Sequence, residues 1–203
     1  MLYKKTALRL AAPVAVLALA LTACGGGDDE KSSSGKSKDK AAAADKPKAK
    51  PESGGELGTG ESATGKVEEG DAPVTYEITA QKVDVGTEAD TKKMVGDPKK
   101  AKGLVPAIAH VKFTHKSGAA LKETPDANDG TRIFADGRRG TLVIGASEDA
   151  PGCEDTYSLK GWKQGESHVL CETYLIPKDA KNLEVQWSEE DGEPFIWKFA
   201  ATK

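Results

Sequence analysis

Aromatic residues are scarce in this 203-residue chain: Phe, Trp and Tyr together make up 5 %, and only 37 % of the residues are apolar. With 22 Gly and 10 Pro as well, part of the chain cannot bury enough surface to fold. A basic excess is also missing. The 29 Lys and Arg are outnumbered by 32 Asp and Glu, for a net charge of −3, which argues against a nucleic acid partner. No apolar run reaches the roughly 20 residues that span a bilayer. Catalytic signatures are absent too. Neither Gly-x-Ser-x-Gly nor His-Glu-x-x-His occurs, and Gly165-Glu166-Ser167-His168 lacks the nucleophile-elbow spacing, so no enzymatic activity is expected.

What is present begins at the N-terminus. Lys4, Lys5 and Arg9 precede an apolar stretch, Leu10 to Leu21, that is broken only by Pro13. It is too short for a transmembrane helix but suits an export signal. It runs into Leu21-Thr22-Ala23-Cys24, which resembles the lipobox of bacterial lipoproteins. That resemblance implies a signal peptide over residues 1–23 and a diacylglyceryl group on Cys24, which becomes the mature N-terminus. Two long acyl chains hold a protein at a membrane where one would exchange, because each buried methylene contributes about 0.8 kcal/mol. The implied location is the extracytoplasmic face of a bacterial cell membrane.

Three cysteines are an odd number for an exported chain. If Cys24 carries lipid, Cys153 and Cys171 remain as a pair in an oxidising compartment. A structural disulfide is then expected in preference to two free thiols. Their spacing fits no zinc pattern, and the three His lie elsewhere in the sequence. His110 and His115 fall on opposite parities of one candidate strand, so they cannot share a metal, and one Met beyond the signal is too few for copper. Neither a metal nor a cofactor is expected.

Residues 24–70 read as a disordered, low-complexity tether. Beyond Cys24 they hold 8 Lys and 10 acidic residues, and Leu57 and Val67 are their only large apolar side chains. Residues 71–203 read as one domain with a β pattern. Val74, Tyr76, Ile78 and Ala80 alternate with polar residues, and the parity then shifts to Val83 and Val85, which predicts a bulge near Gln81. Further strands are expected over 107–116, 133–135, 141–144, 169–176, 183–187 and 195–199. The 133–135 and 141–144 runs flank the hairpin connector Asp136-Gly137-Arg138-Arg139-Gly140. No segment sustains a helical period. About seven short strands imply an all-β antiparallel sandwich.

The strand ending in Phe113-Thr114-His115-Lys116-Ser117-Gly118, the hairpin, and the late strand closing on Tyr174-Leu175-Ile176-Pro177 resemble a known module. This is the immunoglobulin-like domain of unknown function found in Gram-positive lipoproteins. The chain departs from it at Glu172, at the Cys pair and in an insert from Glu123 to Thr131. The resemblance implies a two-sheet sandwich with a binding or accessory role and carries over no catalytic residue.

Candidate binding residues are few. Trp162 in a glycine-flanked turn and the Arg138–Arg139 pair at a hairpin tip are the side chains best suited to contacts. Asp126-Ala127-Asn128-Asp129-Gly130 misses the calcium-loop register by one residue and lacks its closing Glu, so it reads as an ordinary turn. The expected function is a non-enzymatic module binding an envelope protein or wall polymer. A small-ligand carrier serving a transporter is the second expectation.

Overall fold

Residue alternation becomes strand pairing throughout the computed structural model, which describes residues 53–147 and 150–201. Ten strands and one short helix follow in chain order. The strands are β1 (Gly55–Leu57), β2 (Ala63–Glu69), β3 (Ala72–Val85), β4 (Leu104–Ser117), β5 (Thr131–Ala135), β6 (Arg138–Arg139), β7 (Thr141–Leu142), β8 (Ser167–Pro177), β9 (Asn182–Trp187) and β10 (Phe195–Ala200). The helix, α1 (Glu88–Met94), lies between β3 and β4. No helix among the described residues is long and apolar enough to cross a membrane.

The strands form two sheets, in the orders β2-β3-β4-β8-β7 and β1-β10-β9-β5-β6. All pairs are antiparallel except β1 with β10. Within these sheets, β3-β4-β8-β7 follows the A-B-E-D order of an immunoglobulin domain, and β10-β9-β5-β6 follows G-F-C-C′. The all-β sandwich expected from the sequence is the fold observed. Between the sheets lie Tyr76, Ile78, Phe113, Ile133, Leu170, Ile176, Leu183, Trp187 and Trp197, all essentially inaccessible to solvent. The buried indoles keep their N–H groups satisfied: Trp187 donates to the Ala127 carbonyl at 2.8 Å and Trp197 to that of Glu61 at 2.8 Å.

The parity change in β3 is a bulge. Pairing with β4 slips between Ala80 and Lys82, leaving Gln81 without a partner residue. Ala80 therefore faces the core, while Lys82 and Asp84 beyond the slip are exposed.

Three expectations need correction. The first is the start of the domain. Residues 53–69 belong to the sandwich, because β2 pairs along its whole length with β3 and β1 adds to β10. Leu57 and Ala63 are buried. Gly65 lies flat under the Trp187 ring, where a Cβ would sit 2.2 Å from a ring carbon. A strand made largely of Gly, Ala, Thr and Lys looks like a linker until its neighbour supplies the apolar surface. The signal peptide, Cys24 and the tether up to residue 52 lie outside the described residues.

The second correction concerns the hairpin. β5 pairs with Arg138–Arg139 across Asp136-Gly137, both at positive φ (47° and 77°), the geometry of a two-residue turn. Residues 141–142 do not return to β5. The chain changes sheets at Gly140, and β7 pairs with β8. A side chain at Gly140 would press on Tyr174 and Ile176 at 3.0–3.1 Å, so a Cβ at the crossover would require these neighbours to shift by a few tenths of an ångström.

The third is helix α1. Thr87 and Asp90 form a reciprocal capping box, with Thr87 Oγ1 accepting from the Asp90 N–H at 3.3 Å and Asp90 Oδ2 accepting from the Thr87 N–H at 3.0 Å. Seven residues make two turns, too few to display a helical period in the sequence.

Candidate functional site

The large hydrophobic side chains left exposed among the described residues are Leu142, Ile144 and Tyr157, and all three line one cleft. Ile144 is 90 % exposed and Tyr157 65 %. Such side chains scattered singly would mean little; here they converge on one concavity. The cleft encloses about 320 Å³ and lies at the β7 edge of the sandwich. Leu142 and Ile144 come from β7 and the loop after it, and Tyr157 from a short 3-10 turn whose backbone is capped by Asp155. Pro125, Asp126 and Asp129 enter from the β4–β5 connection, and Glu172 from β8.

Glu172 occupies a core-facing register position of β8, in line with Leu170, Tyr174 and Ile176. It is tolerable there because the sandwich opens at this edge and Asn128 meets it. The Asn128 amide donates to Glu172 Oε1 at 2.9 Å and to the Cys171 carbonyl at 3.1 Å. Burial pushes the Glu172 carboxyl up to about 7, Asp129 adds to the rise, and Arg132 opposes it. Burial, together with the Asp126 charge, also raises Asp129. At Glu154 burial works in the same upward direction, but the His168 ring (2.7 Å) and the Val169 N–H (2.9 Å) bring its pKa below the usual range. The result is a cleft that sets exposed apolar side chains beside carboxylates, suited to a ligand that is greasy at one point and cationic at another.

Two wider clefts occur elsewhere. One of about 600 Å³ is lined by Glu69 and residues 119–124, and one of about 780 Å³ by Lys66, Arg132 and residues 187–191. Neither gathers the exposed apolar side chains.

The residues singled out from the sequence fall in different places. Trp162 is not a docking residue. It is 1 % exposed, donates to the Glu166 carbonyl at 3.1 Å and packs on Tyr76 and His168 with ring centroids 5.1 and 4.8 Å away. The flanking glycines turn the chain so that the indole points inward. Arg138 and Arg139 are exposed on β6, in the other sheet from the cleft strands β7 and β8, and do not line the cleft. Within Asp126–Gly130, Ala127–Gly130 form a 3-10 turn, with Asn128 buried as a hydrogen-bonding post.

Cys153 and Cys171 are joined at 2.03 Å. The bridge ties the loop before β8 to β8 itself, unlike the inter-sheet bridge of antibody domains. On the outer face of the sheet, His110 of β4 stands directly opposite Cys171 of β8. His110 is 1 % exposed, and its Nδ1 lies 3.4 Å from Cys171 Sγ and 3.7 Å from Cys153 Sγ. Its Nε2 is 2.8 Å from Asp84 Oδ2, a charge contact whose alignment falls short of a hydrogen bond. Burial, reinforced by the Lys82 charge, lowers the His110 pKa, while Asp84 works the other way. Sequence spacing scattered these groups over 84–171. Strand pairing collects them.

No family model matches the chain, and no curated protein matches it. Among solved structures it is similar to a candidate lipoprotein from Staphylococcus aureus, at 15 % identity and a TM-score of 0.45 over 68 % of this chain and 92 % of that one. A candidate lipoprotein from Bacillus subtilis is 9 % identical with a TM-score of 0.40, over 69 % of this chain and 39 % of that one. A β-sandwich protein of uncharacterised role from Clostridium difficile is 13 % identical with a TM-score of 0.38, over 76 % and 99 %. At these values the likeness assigns neither family nor activity.

Proposed function

We propose that this chain is an extracytoplasmic lipoprotein, anchored by a diacylglyceryl group on Cys24, whose sandwich is a non-enzymatic binding module. Its partner is a segment of an envelope protein carrying apolar side chains and a Lys or Arg. The observation that carries this reading is the convergence of Leu142, Ile144 and Tyr157 on a cleft rimmed by Asp126, Asp129, Glu154 and Glu172. Apolar surface supplies affinity, and the carboxylates supply orientation and select against anionic partners. An anionic wall polymer would meet only like charge in this cleft.

The test is in-cell photocrosslinking from a reactive residue introduced at position 144, with a second copy of the reagent at exposed Arg138 as the comparison. A protein adduct specific to position 144, lost when Glu172 and Asp129 become Gln and Asn, supports the reading. Equal adducts from both positions, or none from position 144, overturn it. The anchor is tested separately. Cys24→Ala should release the protein from the membrane fraction, and unchanged fractionation would refute the lipid attachment.

A further inference from the structure

We infer that the reduced form of the Cys153–Cys171 pair, together with His110, is a binding site for one thiophilic d10 cation such as Zn²⁺. This goes beyond the partner cleft and does not depend on it.

The donor set is already assembled. His110 Nδ1 and the two sulfurs all lie within 4.8 Å of one another, held by the β4–β8 register and by the loop that carries Cys153. Tetrahedral coordination with Zn–N near 2.0 Å and Zn–S near 2.3 Å requires N···S separations of about 3.5 Å. The observed values are 3.4 and 3.7 Å. Only the sulfur–sulfur separation differs: it must open from the bonded 2.03 Å to about 3.8 Å. Cys153 sits in a loop rather than a strand, so that opening needs no change in sheet pairing.

A second observation points the same way. The other nitrogen of the same ring, Nε2, faces the Asp84 carboxylate at 2.8 Å. A carboxylate this close favours the proton on Nε2, but the present alignment is not a hydrogen bond. Once aligned on binding, it would leave the Nδ1 lone pair for the cation and match the outer-shell arrangement that orients metal-bound histidines. Asp84 reaches this position because the bulge at Gln81 puts residues 82 and 84 on the outer face. Three protein ligands would leave one position for water, as in open zinc sites.

Reduction by a dithiol is a balanced exchange. A dithiol thiolate attacks the sulfur of Cys153, a residue that is only partly buried, and the S–S electron pair departs on the sulfur of Cys171, a residue that is 7 % exposed. The second thiolate of the dithiol displaces Cys153 Sγ, so the reductant leaves as a disulfide having given up two electrons. The thiol protons pass to solvent as the cation binds. Disulfide and metal are thus alternative locks on the same loop, and oxidation expels the ion.

The experiment uses the full chain, reduced and then freed of reductant without air. Titration with Co²⁺ should produce an intense near-ultraviolet thiolate-to-cobalt band and tetrahedral visible bands, saturating at one ion per chain and bleached by Zn²⁺. The oxidised protein should show neither. His110→Ala should weaken binding at least tenfold, and Asp84→Asn, a half-exposed position that leaves the core alone, by roughly 10- to 100-fold. Circular dichroism of every reduced sample checks that the sandwich persists. The inference is overturned if the reduced chain takes up no cobalt, or if it loses its β structure on reduction. It is equally overturned if neither the His110 nor the Asp84 substitution alters affinity.

Discussion

Replacing Glu172 with Gln should stabilise the sandwich, and by an amount that depends on pH. In the unfolded chain the carboxyl titrates near 4.5, whereas in the fold it is pushed up to about 7, first by burial and then by Asp129. Below about pH 4 both states hold the proton, and the residue contributes nothing. As pH rises from there, the unfolded chain releases its proton while the native one retains it, so native stability falls. The fall is complete once pH passes about 7 and the native carboxyl ionises too. A gap of that width corresponds to about 3 kcal/mol, and contact with water at the cleft rim trims it to about 2 kcal/mol. Gln keeps the oxygen that accepts from Asn128 and never ionises. Urea unfolding followed by tryptophan fluorescence should therefore find Glu172→Gln more stable than the parent by about 2 kcal/mol near pH 8.5 and indistinguishable near pH 4. Asp129→Asn should move the midpoint of that divergence to lower pH by removing the second contributor. A stability difference of the same size at both pH values would refute the burial argument.

Other perturbations address the edge strands, the bridge and the cleft. Gly65→Ala should destabilise by about 3 kcal/mol, because its Cβ would overlap the fixed Trp187 ring; a normal denaturation midpoint would contradict that packing. A fragment of residues 71–203 should unfold far more readily than one of 53–203, having lost β1 and β2; equal midpoints would return the domain boundary to residue 70. Replacing Cys153 and Cys171 with Ala removes a bridge across 18 residues and should lower stability by about 3 kcal/mol; a loss below about 1 kcal/mol would mean that the loop is held by other contacts. Ile144→Ser, at a side chain that is 90 % exposed, should leave stability unchanged while abolishing partner capture; intact capture would move the site elsewhere.

Local alternation alone determined much of this protein. The runs around Val74–Ala80, Ala107–Lys116 and Leu183–Trp187 could be only half-buried strands, since a period of two has one meaning wherever one face is dry. The bulge at Gln81 was legible for the same reason, being encoded in a few adjacent residues, whereas the hairpin was misplaced: Arg138 and Arg139 form its returning strand and not its connector. Tertiary structure decided whatever depends on a partner distant in sequence. Gly65 is a linker residue until Trp187 covers it, and Trp162 is a surface anchor until Tyr76 and His168 enclose it. Ile144 ends an apolar run that looks like any other strand, and only the jump between sheets at Gly140 leaves it in solvent. His110, Cys171 and Asp84 become one cluster through the β3–β4–β8 registers, which no spacing along a single segment encodes. A sequence specifies which face of a strand is dry; which strand lies against that face is settled by the collective burial of the whole sandwich.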